Sequence, residues 1–77
     1  MPSAPPPDWV RNRRRVIGAN IRTARLAANL TQEAVALRAD TDRPSVVLIE
    51  KGERNATIDT LIRIADAIGV PLADLVR

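Results

Sequence analysis

Apolar residues recur at helical spacing along most of the chain, beginning near Asp8. Members of the first apolar stripe are separated by seven, four, three and four residues and are Val10, Ile17, Ile21, Ala24 and Ala28. This spacing predicts a helix that begins near Asp8, with the aspartate as its N-cap, and runs to about Ala28. An alternative interpretation leaves the residues before Val16 as a loose arm, with the first packed helix beginning near Val16.

Capping residues divide the rest of the chain into four shorter helices. The residues predicted to begin them are Thr31, Asp42, Thr57 and Pro71. Pro44 is compatible with the third helix because it falls in the first turn, where its missing N–H has no helical partner. Gly52 and Gly69 are predicted to end the third and fourth helices in the left-handed conformation. Gly18 lies inside the first helix, which indicates that another backbone approaches closely there.

The apolar faces of these helices are the candidate core. In chain order the second, fourth and fifth helices contribute Val35, Ala36 and Ala39, then Ile58, Leu61, Ile64, Ala65 and Ile68, then Leu72, Leu75 and Val76. Five helices with short connections predict a compact all-α domain over residues 9–77, preceded by a flexible, proline-rich tail at residues 1–8. The second and third helices and the polar turn between them are typical of a helix-turn-helix motif, at about residues 32–51.

The amino-acid composition of the chain excludes several classes of protein function. The chain has 77 residues and contains neither cysteine nor histidine, which excludes disulfides, Cys/His zinc sites, thiol nucleophiles and histidine bases. Its nine acidic residues are scattered, so we expect no metal site, no cofactor, no small-molecule substrate and no enzymatic activity. The first residues lack the apolar stretch of a signal peptide, and no apolar run approaches the length of a membrane span. We therefore expect a cytoplasmic binding module that does not enter the membrane.

Positive charge is concentrated towards one end of the chain. Between Trp9 and Gln32 there are six arginines and no acidic residue, whereas the segment from Glu33 to Arg77 has six basic and eight acidic residues. This asymmetry favours a polyanionic partner, because the phosphate backbone of a nucleic acid attracts such a segment irrespective of sequence. The alternative is a solvated arginine face that keeps a small protein in solution. The many arginines and alanines are also typical of a GC-rich bacterial gene.

Four blocks of the sequence occur in the order and at the spacing of a known family. They are IGANIRTAR at residues 17–25, LTQEAVA at residues 30–36, IEKGERN at residues 49–55 and LIRIADAIGV at residues 61–70. The chain from Ile17 onward therefore resembles the Cro/phage-repressor-like (XRE) helix-turn-helix family. The resemblance implies a five-helix domain of the lambda-repressor-like type that binds double-stranded DNA, with its third helix in the major groove. It also implies a dimeric transcriptional regulator, with repression favoured over activation.

The family pattern, carried onto this chain, assigns roles to individual residues. Gln32 matches a glutamine that contacts phosphate or supports the recognition helix; in the alternative it only begins the second helix. Arg25 and Glu50 match an ion pair that joins the first helix to the end of the third and fixes their orientation. Arg54 and Asn55 lie in the loop through which family members contact the DNA backbone, although Arg54 is equally compatible with a solvated loop position.

The arginines ahead of the matching region occupy the place of an arm or helix extension that reaches the DNA backbone in some relatives. They are Arg11, Arg13, Arg14 and Arg15. Asp40 stands in the turn where most relatives carry glycine, and we expect it to adopt the left-handed conformation, which Asp tolerates.

The recognition helix, at about residues 43–51, departs from the usual base-reading pattern. At about 100° per residue, Val46, Ile49 and Glu50 face inward. The candidate DNA-contacting residues of this helix are Arg43, Pro44, Ser45, Val47, Leu48 and Lys51. Apolar side chains predominate where Arg, Asn or Gln usually read bases. The alternative function is therefore a protein-interaction module, an antitoxin or co-regulator, that binds a protein partner through this apolar surface.

A homodimer is expected on two grounds. The small core has no disulfide or metal to support it. In addition, Leu72, Leu75 and Val76 give the final helix more apolar surface than one small domain readily buries. The dimer would read paired half-sites about one turn of DNA apart.

Overall fold

A computed structural model describes residues 4–77, in which five helices and no strand are present. The helices are α1 (Asp8–Ala27), α2 (Gln32–Arg38), α3 (Arg43–Glu50), α4 (Ile58–Ile68) and α5 (Leu72–Val76). This architecture confirms the predicted all-α, five-helix fold. Of the predicted flexible tail, residues 1–3 lie outside the described residues, residues 4–7 have no helix, and Asp8 already belongs to α1.

The first helix is continuous, so the interpretation of a loose arm before Val16 is wrong. α1 has 20 residues, and Pro7, in an extended conformation, precedes its first turn without a side-chain cap. Asp8 is therefore not the N-cap that the sequence predicted. It lies in the first turn, where its negative charge interacts favourably with the positive end of the helix dipole.

The shorter helices begin at the capping residues that the sequence indicates. The side-chain oxygens of Thr31, Asp42 and Thr57 accept hydrogen bonds from the backbone N–H of the third residue of α2, α3 and α4, at 2.8–3.1 Å. Each bond satisfies a donor that has no partner within the helix. Gly69 ends α4 with a φ of 89°, the left-handed conformation in which glycine has no steric cost.

Each helix contributes one fully buried aliphatic side chain to a single core. These side chains are Ile21, Val35, Val46, Ile64 and Leu75. Leu75 is 0% exposed because α5 packs between α1 and α4, so of the apolar surface predicted for α5 only Val76 is exposed, at 36%. The prediction of Ile58 as a core residue is wrong, since Ile58 is 67% exposed at the start of α4.

Candidate nucleic-acid interface

The helix-turn-helix unit is formed by α2 and α3, which pack their apolar faces against the rest of the domain. Val35 and Ala36 of α2 and Val46 and Ile49 of α3 are at most 4% exposed. Between the helices Asp40 has a φ of 55°, the left-handed conformation expected at this turn. The turn and the buried faces together fix the direction of α3 and leave its opposite side outward.

A buried ion pair holds the carboxyl end of α3 against α1. The guanidinium of Arg25 donates from Nε to Glu50 Oε2 at 2.7 Å and from Nη2 to Glu50 Oε1 at 3.1 Å. Arg25 also donates to the carbonyl of Leu30 at 2.9 Å, and Gln32 Nε2 donates to Glu50 Oε1 at 3.2 Å. This two-pronged pairing is the strong form of a charge-assisted hydrogen bond. Gln32 therefore contacts the recognition helix, the second of the two roles that the resemblance gave it.

An open groove of about 590 Å³ lies where α1 meets the first turns of α2 and α3. Its lining residues are Arg22, Arg25, Thr31, Gln32, Glu33 and Arg43. Because Arg25 is paired with Glu50, the exposed cations of the groove are Arg22 and Arg43, opposed by the single carboxylate of Glu33. A concave surface with an excess of positive charge attracts phosphate.

Arg22 was missed as a site residue by the sequence analysis. It lies seven residues after Arg15 and three before Arg25, so the helical period of α1 places all three near one side of the helix. That spacing is the signal that could have identified it.

The outward side of α3 combines one arginine with an apolar surface. Arg43, Pro44 and Lys51 are exposed, and Val47 and Leu48 are half-buried. A shallow depression of about 440 Å³ is lined by Arg43, Pro44, Val47 and Leu48. The surface offers few hydrogen-bonding groups, as the sequence indicated, and Arg43 at its edge is the main one.

Two other candidate residues are engaged with each other. Ser45 is 7% exposed, and its Oγ accepts a hydrogen bond from Arg54 Nη1 at 2.6 Å. Ser45 thus lies on the inner side of α3 and not on the outward surface. Asn55 is exposed and lies beside Arg14, where the loop after α3 meets α1.

The arginine cluster at the start of α1 divides into two pairs. The first pair, Arg13 and Arg14, faces the body of the domain. Arg13 Nη2 donates to the carbonyl of Val76 at 2.7 Å and so binds the end of α5. Arg14 is half-buried against the loop after α3, and its Nε is buried without a hydrogen-bond partner among the described residues. Arg13 nevertheless remains an exposed residue.

The second pair, Arg11 and Arg15, points outward and forms a line with Arg22. The three residues, which we call the arginine row, lie within about 40° of one another around α1 at about 100° per residue. Arg11 pairs with Asp8, and the row is exposed along its length. A Cβ at Gly52 would lie 2.8 Å from the Cα of Arg15, so the row passes beside the loop that follows α3. It therefore runs beside the loop that follows α3 and continues to Arg22, which lines the groove.

Residues 4–77 contain neither a candidate metal site nor a candidate membrane span. No group of three or more acidic side chains comes together there in a way that could hold a metal ion. None of the helices in this part of the chain is long and apolar enough to cross a membrane.

Sequence comparisons identify relatives across most of the chain. A family model described as helix-turn-helix matches residues 21–75, more than half of the sequence. The HTH-type transcriptional regulator y4dJ of Sinorhizobium fredii is 36% identical over 63 residues, which cover 82% of this chain and 82% of that protein. The control protein C.BamHI of Bacillus amyloliquefaciens is 37% identical over 65 residues, covering 83% of this chain and 80% of that one.

Solved structures show the same fold. The restriction-modification controller protein C.AhdI from Aeromonas hydrophila matches with a TM-score of 0.82 at 28% identity, covering 84% of this chain and 94% of that chain. The hypothetical transcription factor NHTF from Neisseria matches with a TM-score of 0.81 at 26% identity and covers all of this chain. The family match and the arrangement of α2 and α3 agree with the resemblance seen in the sequence. The chain belongs to the XRE-type helix-turn-helix family and is a DNA-binding transcriptional regulator.

Proposed function

We propose that this regulator recognises its operator through the outward side of α3, with Arg43 and the neighbouring apolar side chains reading the bases. The observation that carries the proposal is the juxtaposition of exposed Arg43 and the apolar depression on the one helix side that the core leaves free. In the major groove the only apolar group on a base edge is the thymine methyl, which Val47 and Leu48 can contact. Arg43 can donate two hydrogen bonds to guanine. The proposed half-site contains a G·C pair next to thymines.

Phosphate contacts are proposed for the residues that flank α3. Arg22 and Gln32 line the groove beside α3, and Lys51 lies exposed directly after the carboxyl end of α3. Of the four arginines at the start of α1, Arg11 and Arg15 extend this positive surface along the helix, whereas Arg13 contacts the end of α5 and Arg14 lies against the loop after α3. Asn55 is proposed as a further contact because it is exposed in the loop after α3.

The proposal for base reading is tested with a duplex selected from a random pool. Replacing the selected thymines by uracil removes only the methyl groups, so affinity should fall while every hydrogen bond is kept. Arg43→Ala should cost about 1–3 kcal/mol of binding free energy and relax the choice of guanine at one position. Fluorescence anisotropy measures both effects. Arg77→Ala is the matched control, since it removes an exposed arginine from the carboxyl end.

The same experiment decides between the two functions considered for this surface. If uracil binds as tightly as thymine and no position selects guanine, the apolar depression does not read bases. A protein partner would then be the better occupant of Pro44, Val47 and Leu48. Because DNA is the ligand, we propose that the protein acts in the bacterial cytoplasm and acts by binding alone, without catalysis.

We further propose that the protein binds DNA as a homodimer, which pairs two recognition helices on two half-sites. Of the three apolar residues of α5, Leu75 is buried within the domain, Leu72 is half-buried and Val76 is 36% exposed, which leaves little apolar surface on α5 for an interface. α4 is the proposed interface, because it carries two exposed aliphatic side chains one helical turn apart, Ile58 at 67% and Ile62 at 49% exposure. Asp59 and Arg63 beside them carry opposite charges. In a two-fold interface, Asp59 of each protomer can face Arg63 of the other.

Ile62→Asp should therefore shift the protein to monomer at tens of micromolar while the fold is retained. Sedimentation equilibrium measures the association, and far-ultraviolet circular dichroism checks the helices. Leu37→Asp is the control, because Leu37 is an aliphatic residue of α2 that is 73% exposed, and it should leave association unchanged. A wild-type protein that is monomeric both in solution and on its operator would contradict the proposal.

A further inference from the structure

The loop after the recognition helix reaches back to the beginning of that helix. Arg54 follows α3 by four residues, yet its Nη1 donates to Ser45 Oγ, in the first turn of α3, at 2.6 Å. Ser45 is buried, so this contact is protected from solvent on the side of Ser45. A hydrogen bond that involves a charged donor is stronger than one between neutral groups.

Ser45 also contacts Asp42, the residue that caps α3. Asp42 Oδ1 accepts a hydrogen bond from the backbone N–H of Ser45 at 2.8 Å. This bond holds the pKa of Asp42 below its ordinary value, and the Ser45 hydroxyl and the positive charge of Arg54 act in the same direction. The carboxylate therefore stays ionised, and the cap stays intact, down to lower pH than for an isolated aspartate. Arg54, Ser45 and Asp42 together join the loop after α3 to its amino end.

The two ends of α3 are held by different contacts. The carboxyl end is fixed by the buried carboxylate of Glu50, which Arg25 and Gln32 bind. At the amino end, the side-chain contacts are those of Asp42 and Arg54 with Ser45. Arg43, the proposed base-reading residue, lies in this same first turn.

We propose that Arg54 is a positioning residue, which fixes the first turn of α3 through Ser45 and thereby aims Arg43 at its base, and that it does not contact a DNA phosphate. The proposal rests on the proposed function of Arg43. It replaces the interpretation from the sequence that the loop arginine contacts the DNA backbone.

The dependence of binding on salt distinguishes these two roles. Each phosphate contact releases a condensed counterion, so removing one makes the slope of log K against log salt shallower by about one unit. A positioning residue changes affinity and base preference without changing that slope. The arginine row supplies the comparison, because Arg15 is exposed and is proposed to contact phosphate.

The binding experiment uses Arg54→Gln, Ser45→Ala and the double variant on the selected duplex. We expect each single variant to bind about five- to tenfold more weakly and to discriminate less against replacement of the guanine. The double variant should bind no more weakly than Arg54→Gln alone, because both changes remove one contact. The salt slope should stay at the wild-type value in all three, whereas Arg15→Gln should make it shallower. Arg77→Gln should leave both affinity and slope unchanged.

A second measurement is made on the free protein. Hydrogen exchange of the Ser45 and Val46 amides, followed by NMR, should be faster in both single variants, while exchange within α1 should be unchanged. A shallower slope for Arg54→Gln with unaltered amide exchange would overturn the proposal and identify a phosphate contact. If the wild-type protein selects no DNA sequence, the proposed base reading by Arg43 is refuted. Unaltered amide exchange in Arg54→Gln and Ser45→Ala would separately refute the positioning role of Arg54.

Discussion

Glu50→Ala should lower the free energy of unfolding by about 3–5 kcal/mol. The substitution leaves the guanidinium of Arg25, which is 7% exposed, without the carboxylate that accepts two of its hydrogen bonds. An unpaired buried charge is the main source of the expected loss. Because a core of this size contributes only roughly 3–5 kcal/mol in total, a large fraction of the variant should be unfolded at 25 °C. Urea unfolding followed by circular dichroism at neutral pH measures the change.

A matched variant separates this effect from the general loss of a carboxylate. Glu53→Ala removes an exposed acid three residues further along the chain and should change stability by less than about 0.5 kcal/mol. Equal urea midpoints for wild type and Glu50→Ala would show that the pair contributes little in solution.

The ion pair also has a consequence for DNA binding. Arg25 belongs to the same helix as the arginine row, and Glu50 belongs to the recognition helix. The pair therefore fixes the distance between the proposed phosphate contacts on α1 and the base-reading surface of α3. The folded fraction of the Glu50→Ala protein should therefore have a lower affinity for the operator than wild type. The loss of binding should exceed the loss expected from the lower concentration of folded protein alone.

The helices could be predicted from the sequence because their signals are local. Thr31, Asp42 and Thr57 act within three residues of their own position, and Gly69 needs only its own backbone conformation. The helical period likewise placed Val46, Ile49 and Glu50 on the inward side of α3, although it did not place Ser45 there.

The site residues were less predictable because their partners are distant in sequence. Arg13 binds a carbonyl 63 residues away, and no pattern near Arg13 indicates which of four adjacent arginines does so. Ser45 and Arg54 are close in sequence, but Arg54 bends back only because the left-handed Gly52, with a φ of 73°, reverses the chain between them. Ile58 follows the apolar period of α4 and yet lies outside the core. The first turn of α4 extends beyond the surface against which the rest of the helix packs.

Gly18→Ala should destabilise the protein by about 3 kcal/mol, at the upper end of the range for overpacking. A Cβ at this position would lie 2.5 Å from the carbonyl oxygens of both Ile49 and Glu50, and 2.8 Å from the carbonyl carbon of Glu50. These neighbours are backbone atoms, which cannot rotate away, so α1 and the end of α3 must separate.

Helix propensity alone predicts the opposite change in stability for Gly18→Ala, because alanine stabilises an exposed helix by about 1 kcal/mol relative to glycine. Ala19→Gly, at the exposed neighbouring position, measures that intrinsic term in the same helix. Urea unfolding of both variants therefore isolates the steric cost at Gly18. The loss should exceed that of Ala19→Gly by about threefold, and operator binding should fall with it, since separation of α1 from α3 also strains the Arg25–Glu50 pair. A Gly18→Ala protein as stable as wild type would mean that the two helices do not pack backbone to backbone, and the register of the arginine row against the recognition helix would have to be revised.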